Sequence, residues 1–114
     1  AAALGRTLAA AAPRVALLVM GDGSAALTES SPGYVVRGAT DWQAAATKAL
    51  AAADIETLME LTPMEGERFL AAGRASWQVL AGAGEGSRWS TTLRCDDAPY
   101  GVAYVVTSWK QAAA

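Results

Sequence analysis

The stretch Arg14-Val-Ala-Leu-Leu-Val-Met-Gly-Asp-Gly-Ser24 decides how this chain is read. Every side chain from Val15 to Met20 is apolar, and the run stops abruptly at Gly21-Asp22-Gly23-Ser24, a composition that suits a tight turn. An unbroken apolar run bounded by turn residues predicts a strand buried on both faces of a sheet. In open α/β sheets ligands gather at the carboxyl ends of the strands. Gly21, Asp22, Gly23 and Ser24 are therefore candidate ligand-binding residues.

Upstream of the run, Leu4 to Ala12 is rich in alanine and leucine and stops at Pro13, so it reads as the end of a helix feeding the strand. A helix that leads straight into a buried central strand leaves the other strands of the sheet unaccounted for. The expectation is that an amino-terminal portion is missing or supplied separately.

Downstream, Leu27 to Gly33 is loop by composition, and Tyr34 to Val36 is a short extended piece. Thr40 is the expected N-cap of a helix from Asp41 to Ala53, with Trp42 turned to the core. Asp54 can cap a short helix from Ile55 to Leu61. The strongest local signal is Thr62-Pro63-Met64-Glu65, a capping residue, a proline at the first helical position and a glutamate able to reach back to the cap amide. That helix is expected to end at Gly73, its C-terminal glycine. Ser76 to Ala81 reads as a further turn or two of helix. Gly82 to Gly86 resembles a phosphate cradle only superficially, because a dinucleotide loop follows a strand and opens a helix, whereas this one follows a helix. The last segment predicts an antiparallel hairpin: Trp89, Thr91, Leu93 and Cys95 alternate with polar residues, Asp96 to Pro99 turns the chain, and Tyr100 to Trp109 returns. The fold expected is α/β, a single domain over residues 1–114 with a mixed sheet and flanking helices, forming half of a larger three-layer α/β/α domain.

Composition narrows the chemistry. The chain of 114 residues has no histidine and a single cysteine, Cys95, which removes zinc-finger and Ser-His-Asp arrangements within it. Cys95 on a strand pattern is expected to be a small buried hydrophobe, and one unpaired cysteine fits a reducing, cytoplasmic setting. A net charge of −2, from 9 basic and 11 acidic residues spread along the chain, gives no footprint for nucleic acid. No stretch approaches the roughly 20 apolar residues of a membrane span. Ser24 has no histidine to activate it. Asp96 and Asp97 are adjacent, so on a strand they point to opposite faces and form no acid–base pair. Glu65 and Glu67 suit a first helical turn. The tryptophans (Trp42, Trp77, Trp89, Trp109) read as core or interface anchors rather than a stacking platform for bases.

Three segments in order, Leu-Leu-Val-Met-Gly-Asp-Gly-Ser (17–24), Ala-Ala-Gly-Arg-Ala-Ser-Trp-Gln-Val-Leu-Ala-Gly-Ala (71–83) and Ala-Pro-Tyr-Gly-Val-Ala-Tyr (98–104), resemble the carboxyl-terminal half of the class III extradiol dioxygenase (LigB-like) superfamily, in its alanine-rich actinobacterial branch. The resemblance implies an α/β domain roughly twice this long that holds Fe(II) between histidines of its amino-terminal half and a glutamate of its carboxyl-terminal half. It also implies a base histidine directly after the serine of the strand-end turn, where this chain has Ala25, and a metal glutamate a few residues before Ser76-Trp77, where it has Ala72-Gly73-Arg74-Ala75. Neither residue carries over. The expectation is a chain with no catalytic residue and no metal ligand of its own, inactive alone, with Fe(II) only if a histidine-bearing partner segment exists. The pocket that remains would be lined by Gly21 to Ala25, with Arg74 placed to meet an anionic group. The partner expected is the missing amino-terminal half or another copy of the chain, and the alternative function is a non-catalytic binding or self-assembly module that retains the fold.

Overall fold

Side chains that bond their own backbone start two of the helices. In a computed structural model, which describes residues 1–112, the elements are α1 (Ala2–Ala9), α2 (Ala39–Ala52), α3 (Ile55–Glu60), α4 (Pro63–Arg68), α5 (Arg74–Gly84), β1 (Trp89–Asp97) and β2 (Tyr104–Gln111). The class is thus mixed α and β, as the sequence leads one to expect. At α3 the Thr57 N–H donates to Asp54 Oδ1 at 3.2 Å. At α4 the full capping box forms: Glu65 N–H donates to Thr62 Oγ1 at 3.1 Å, and Thr62 N–H donates to Glu65 Oε1 at 2.9 Å. The Thr62 amide, more than any other group, holds the Glu65 carboxyl below its ordinary range.

Two helix ends differ from expectation because backbone conformation, not side-chain chemistry, sets them. Helix α2 begins at Ala39 behind Gly38, whose φ of 91° favours glycine, and Thr40 lies inside the helix rather than capping it. Helix α4 stops at Arg68, and Gly73 is the N-cap of α5 rather than the C-terminal glycine of α4. Helix α5 then runs on to Gly84, well beyond the turn or two read from Ser76.

Helices α1 and α5 pack antiparallel on small residues: Ala2 lies against Gly82 and Gly5 against Val79, backbone to backbone, where no Cβ would fit. Arg6 of α1 pairs with Glu85 after α5 through two hydrogen bonds of 2.7 and 2.9 Å, which lower the Glu85 carboxyl. Two α5 side chains one turn apart serve the carbonyls that end α3: Arg74 Nη1–H donates to Leu61 O at 2.9 Å, and Gln78 Nε2–H to the same oxygen at 2.8 Å.

The core is built largely from alanine (Ala26, Ala39, Ala46, Ala49, Ala71, Ala81) around Leu50, Leu58, Phe69, Trp42 and Trp77. Trp42 stacks at a tilt between Phe69 and Trp77, with ring centroids 5.4 and 6.2 Å away. Its indole N–H is buried without a hydrogen bond. Trp89 and Trp109 fasten the hairpin to this body, donating to Gly84 O at 2.9 Å and Leu50 O at 2.7 Å. The tryptophans therefore anchor packing.

Strands β1 and β2 pair antiparallel with Trp89 opposite Gln111 and Leu93 opposite Thr107, and the register shifts between Leu93 and Cys95. That irregularity leaves Arg94 outside the pairing. Among the described residues the sheet has these two strands only. Strand β1 continues through Asp96 and Asp97, so the turn begins at Ala98, later than expected, and β2 starts at Tyr104. Cys95 is exposed rather than buried, because β1 is exposed from Thr92 to Asp97 and no described residue covers either face of the hairpin there.

The largest departure concerns Val15 to Met20. The run passes without helix, turn or bend, but it belongs to no sheet and it is not buried. Leu18 is 89% exposed and Met20 72%, against 43% for Val15 and 38% for Leu17. The reason is the lack of neighbours: among the described residues no backbone group of Val15 to Met20 has a hydrogen-bond partner. An apolar pattern states what a segment can bury, not what is there to bury it. No helix among the described residues is long and apolar enough to cross a membrane.

Candidate functional site

The backbone changes character at Asp22. Val15 to Met20 before it have no backbone partner among the described residues; from Asp22 to Ala26 every residue has one. Asp22 O accepts from Gly73 N–H at 2.7 Å, Gly23 N–H donates to Ala103 O at 2.9 Å, and Ala103 N–H donates to Ser24 O at 3.0 Å. Ala25 N–H donates to Leu70 O at 3.1 Å, and Ser24 forms an isolated antiparallel bridge with Ala71. The turn after the apolar run is thus the junction where the connection from α4 to α5 and the approach to β2 meet.

Side chains complete the junction from below. Ser24 is fully buried; its N–H donates to Gln43 Oε1 at 2.7 Å, and its hydroxyl donates to Phe69 O at 2.6 Å while accepting from Ala26 N–H at 3.2 Å. Gln43 in turn donates through Nε2 to Thr47 Oγ1 at 3.1 Å, one turn along α2. All three residues are buried, so the low dielectric strengthens each bond and makes any vacant partner costly. Close backbone contact also explains the glycines. A Cβ on Gly73 would lie 2.7 Å from both Asp22 O and Gly21 C, and one on Gly23 would lie 2.7 Å from Gln43 Oε1.

Of the residues singled out in the sequence, Gly21 to Ser24 meet Gly73 at this junction, whereas the Arg74 side chain turns to Gly66 and Leu61. Gly21 and Asp22 are exposed at the rim, beside Gly73 at the start of α5. Gly23 and Ser24 are buried beneath them, with both polar groups of Ser24 that could serve a ligand, its hydroxyl and its amide, already bonded. Arg74 follows Gly73 directly, is half-buried, lies across Gly66 and donates to Leu61 O. Gln43, Phe69 and Ala103 complete the junction and were not anticipated. Gln43 carried a usable signal: with Thr47 it forms a polar pair at i, i+4 within the otherwise apolar stripe Trp42, Ala46, Ala49 and Leu50.

The donor set at the rim does not suit Fe(II). It offers the Asp22 carboxylate and no imidazole, since the chain has no histidine, whereas an oxygen-activating iron needs two histidines and a carboxylate on one side. Among the described residues no group of three or more His, Cys, Asp or Glu side chains converges. Beside the junction, a shallow groove lined by Leu8, Leu17, Leu18, Val19, Met20, Ser76 and Val79 runs between the apolar segment and helices α1 and α5. No family model matches the chain, and no curated protein and no solved structure matches it.

Proposed function

We propose that this chain is a half-domain of extradiol-dioxygenase-like ancestry that has lost the catalytic centre and acts by assembly, in a reducing, cytoplasmic setting. The observation that carries this reading is the contact of Asp22 with Gly73. It brings the strand-end turn against the segment Ala72-Gly73-Arg74-Ala75, the two places where the resemblance implies a base histidine and a metal glutamate. Both segments are adjacent, and both lack the reactive residue: Ala25 stands in one, and no carboxylate in the other. The exposed apolar run supports the second part, since it offers apolar side chains and backbone groups without partners among the described residues. Arg74, which donates to Leu61 O through Nη1, keeps further guanidinium N–H donors that could hold an anionic group.

Incubation of the full chain with Fe(II) under anaerobic conditions, followed by metal analysis and oxygen uptake on a catechol carboxylate, tests the claim. No stoichiometric iron and no uptake are expected. Bound iron together with ring cleavage by this chain alone would overturn it. Arg74→Ala, assayed for binding of the same compound, tests the pocket: an unchanged affinity removes Arg74 from it.

A further inference from the structure

The segment from Arg14 to Asp22 is nearly a palindrome in chemical terms. A cation opens it, an anion closes it, and the side chains between are apolar or absent. Leu18 stands at its centre and is 89% exposed, more than Val15, Leu17 or Met20. The backbone of Val15 to Met20 has no hydrogen-bond partner among the described residues, and unpaired backbone of this kind templates pairing with a like segment. Neither the Arg14 guanidinium nor the Asp22 carboxylate has a hydrogen bond or ion pair among the described residues, and both residues are exposed.

We propose that Val15 to Met20 pairs antiparallel with the same segment of a second copy of the chain, about a two-fold axis through Leu18. Such an interface is isologous, so each contact occurs twice. In this register Arg14 faces the partner's Asp22, Ala16 faces the partner's Met20, Leu17 faces the partner's Val19, and the two Leu18 side chains meet on the axis. Shifting the register by a single residue moves the charges out of opposition and turns the cross-strand pairs to the wrong faces. Charge complementarity therefore selects one register from the several that apolarity alone would permit. The pairing also deals with the surplus of the monomer. The core buries mostly alanine, whereas Leu18 and Met20 lie in water; in the dimer they gain cross-strand neighbours. Val15 and Leu17 are the less exposed, at 43% and 38%, and stay on the side of α1 and α5; Leu18 and Met20 touch the rim of the groove between those helices but keep 89% and 72% of their surface free for the partner. This inference deepens the assembly part of the proposed function and stands without the ancestry.

Sedimentation equilibrium of the full chain, with Arg14→Asp, Asp22→Arg and the double exchange, tests it. Wild type is expected to dimerise. Each single exchange sets like charges opposite each other twice and weakens the dimer about 10-fold or more; the double exchange restores it. Leu18→Glu, which places two carboxylates on the axis, abolishes it. Near-ultraviolet circular dichroism identifies variants that keep the tryptophan packing. A wild-type chain that stays monomeric to millimolar concentration overturns the proposal, and so does a dimer of equal strength in all the charge variants, which would place the interface elsewhere, such as the hairpin edge. Neither result bears on iron binding, so the loss of the catalytic centre is judged separately.

Discussion

The Gly73 N–H donates to the Asp22 carbonyl at 2.7 Å, and through this bond the turn after the apolar run is closed onto the first turn of α5. Helix, turn and hairpin approach all converge within a few residues of it. Ser24, Gln43 and Phe69 at the junction are buried, with Ser24 bonded to both, and the junction holds Val15 to Met20 from one end.

Gly73→Ala tests how tightly that junction is packed. The φ of −77° at Gly73 would accept any residue, so glycine is required for space alone. The atoms a Cβ would meet belong to the backbone of Gly21 and Asp22 and cannot swing away. Overpacking of this kind costs about 1–3 kcal/mol. Urea denaturation is expected to show a midpoint lowered accordingly with an unchanged slope.

Gln43→Ala removes the acceptor for Ser24 N–H and the donor to Thr47. A buried donor left without a partner costs about 1–3 kcal/mol. The loss should exceed that of Gln111→Ala, whose bond to Ser87 is exposed. Equal losses in the two variants would mean that water reaches Ser24.

These two positions also show where sequence is informative and where it is not. Thr62-Pro63-Met64-Glu65 and Asp54 were legible because their bonds close within three residues, so local chemistry fixes them. The start of α2 and the role of Gly73 were not, because both depend on backbone geometry imposed by distant contacts. The same divide runs through the candidate site. The apolar run and its glycine turn could be recognised as a unit, and the turn is indeed where the chain converges. Whether Leu18 is covered depends on neighbours the pattern does not specify, and Ser24 could not be assigned to the interior before Gln43 and Phe69 were seen around it.

The capping box of α4 makes a pH prediction with a definite sign. Glu65 has its carboxyl lowered in the folded chain, chiefly by the Thr62 amide, and Asp54 is lowered chiefly by the Thr57 hydroxyl. A carboxyl whose folded value is depressed contributes fully above its unfolded value and loses that contribution as pH falls through the folded one. Thr62→Ala is expected to cost about 1 kcal/mol at neutral pH. The gap between Glu65→Gln and wild type in thermal denaturation should be widest above about pH 4.3 and close as the medium is acidified below it. A gap that widens in acid would contradict the assignment.

Amide hydrogen exchange across a dilution series measures the central claim most directly, with Val15 to Met20 read against Gly23 to Ala26. The amides of Gly23, Ser24, Ala25 and Ala26 all have acceptors within the chain and should be protected at every concentration. Those of Val15 to Met20 should exchange as open backbone when dilute, and alternate ones, whose N–H groups face the partner strand, should gain protection in step with dimer formation. Protection of the run that persists at the greatest dilution, or its absence where the chain is dimeric, would contradict the account.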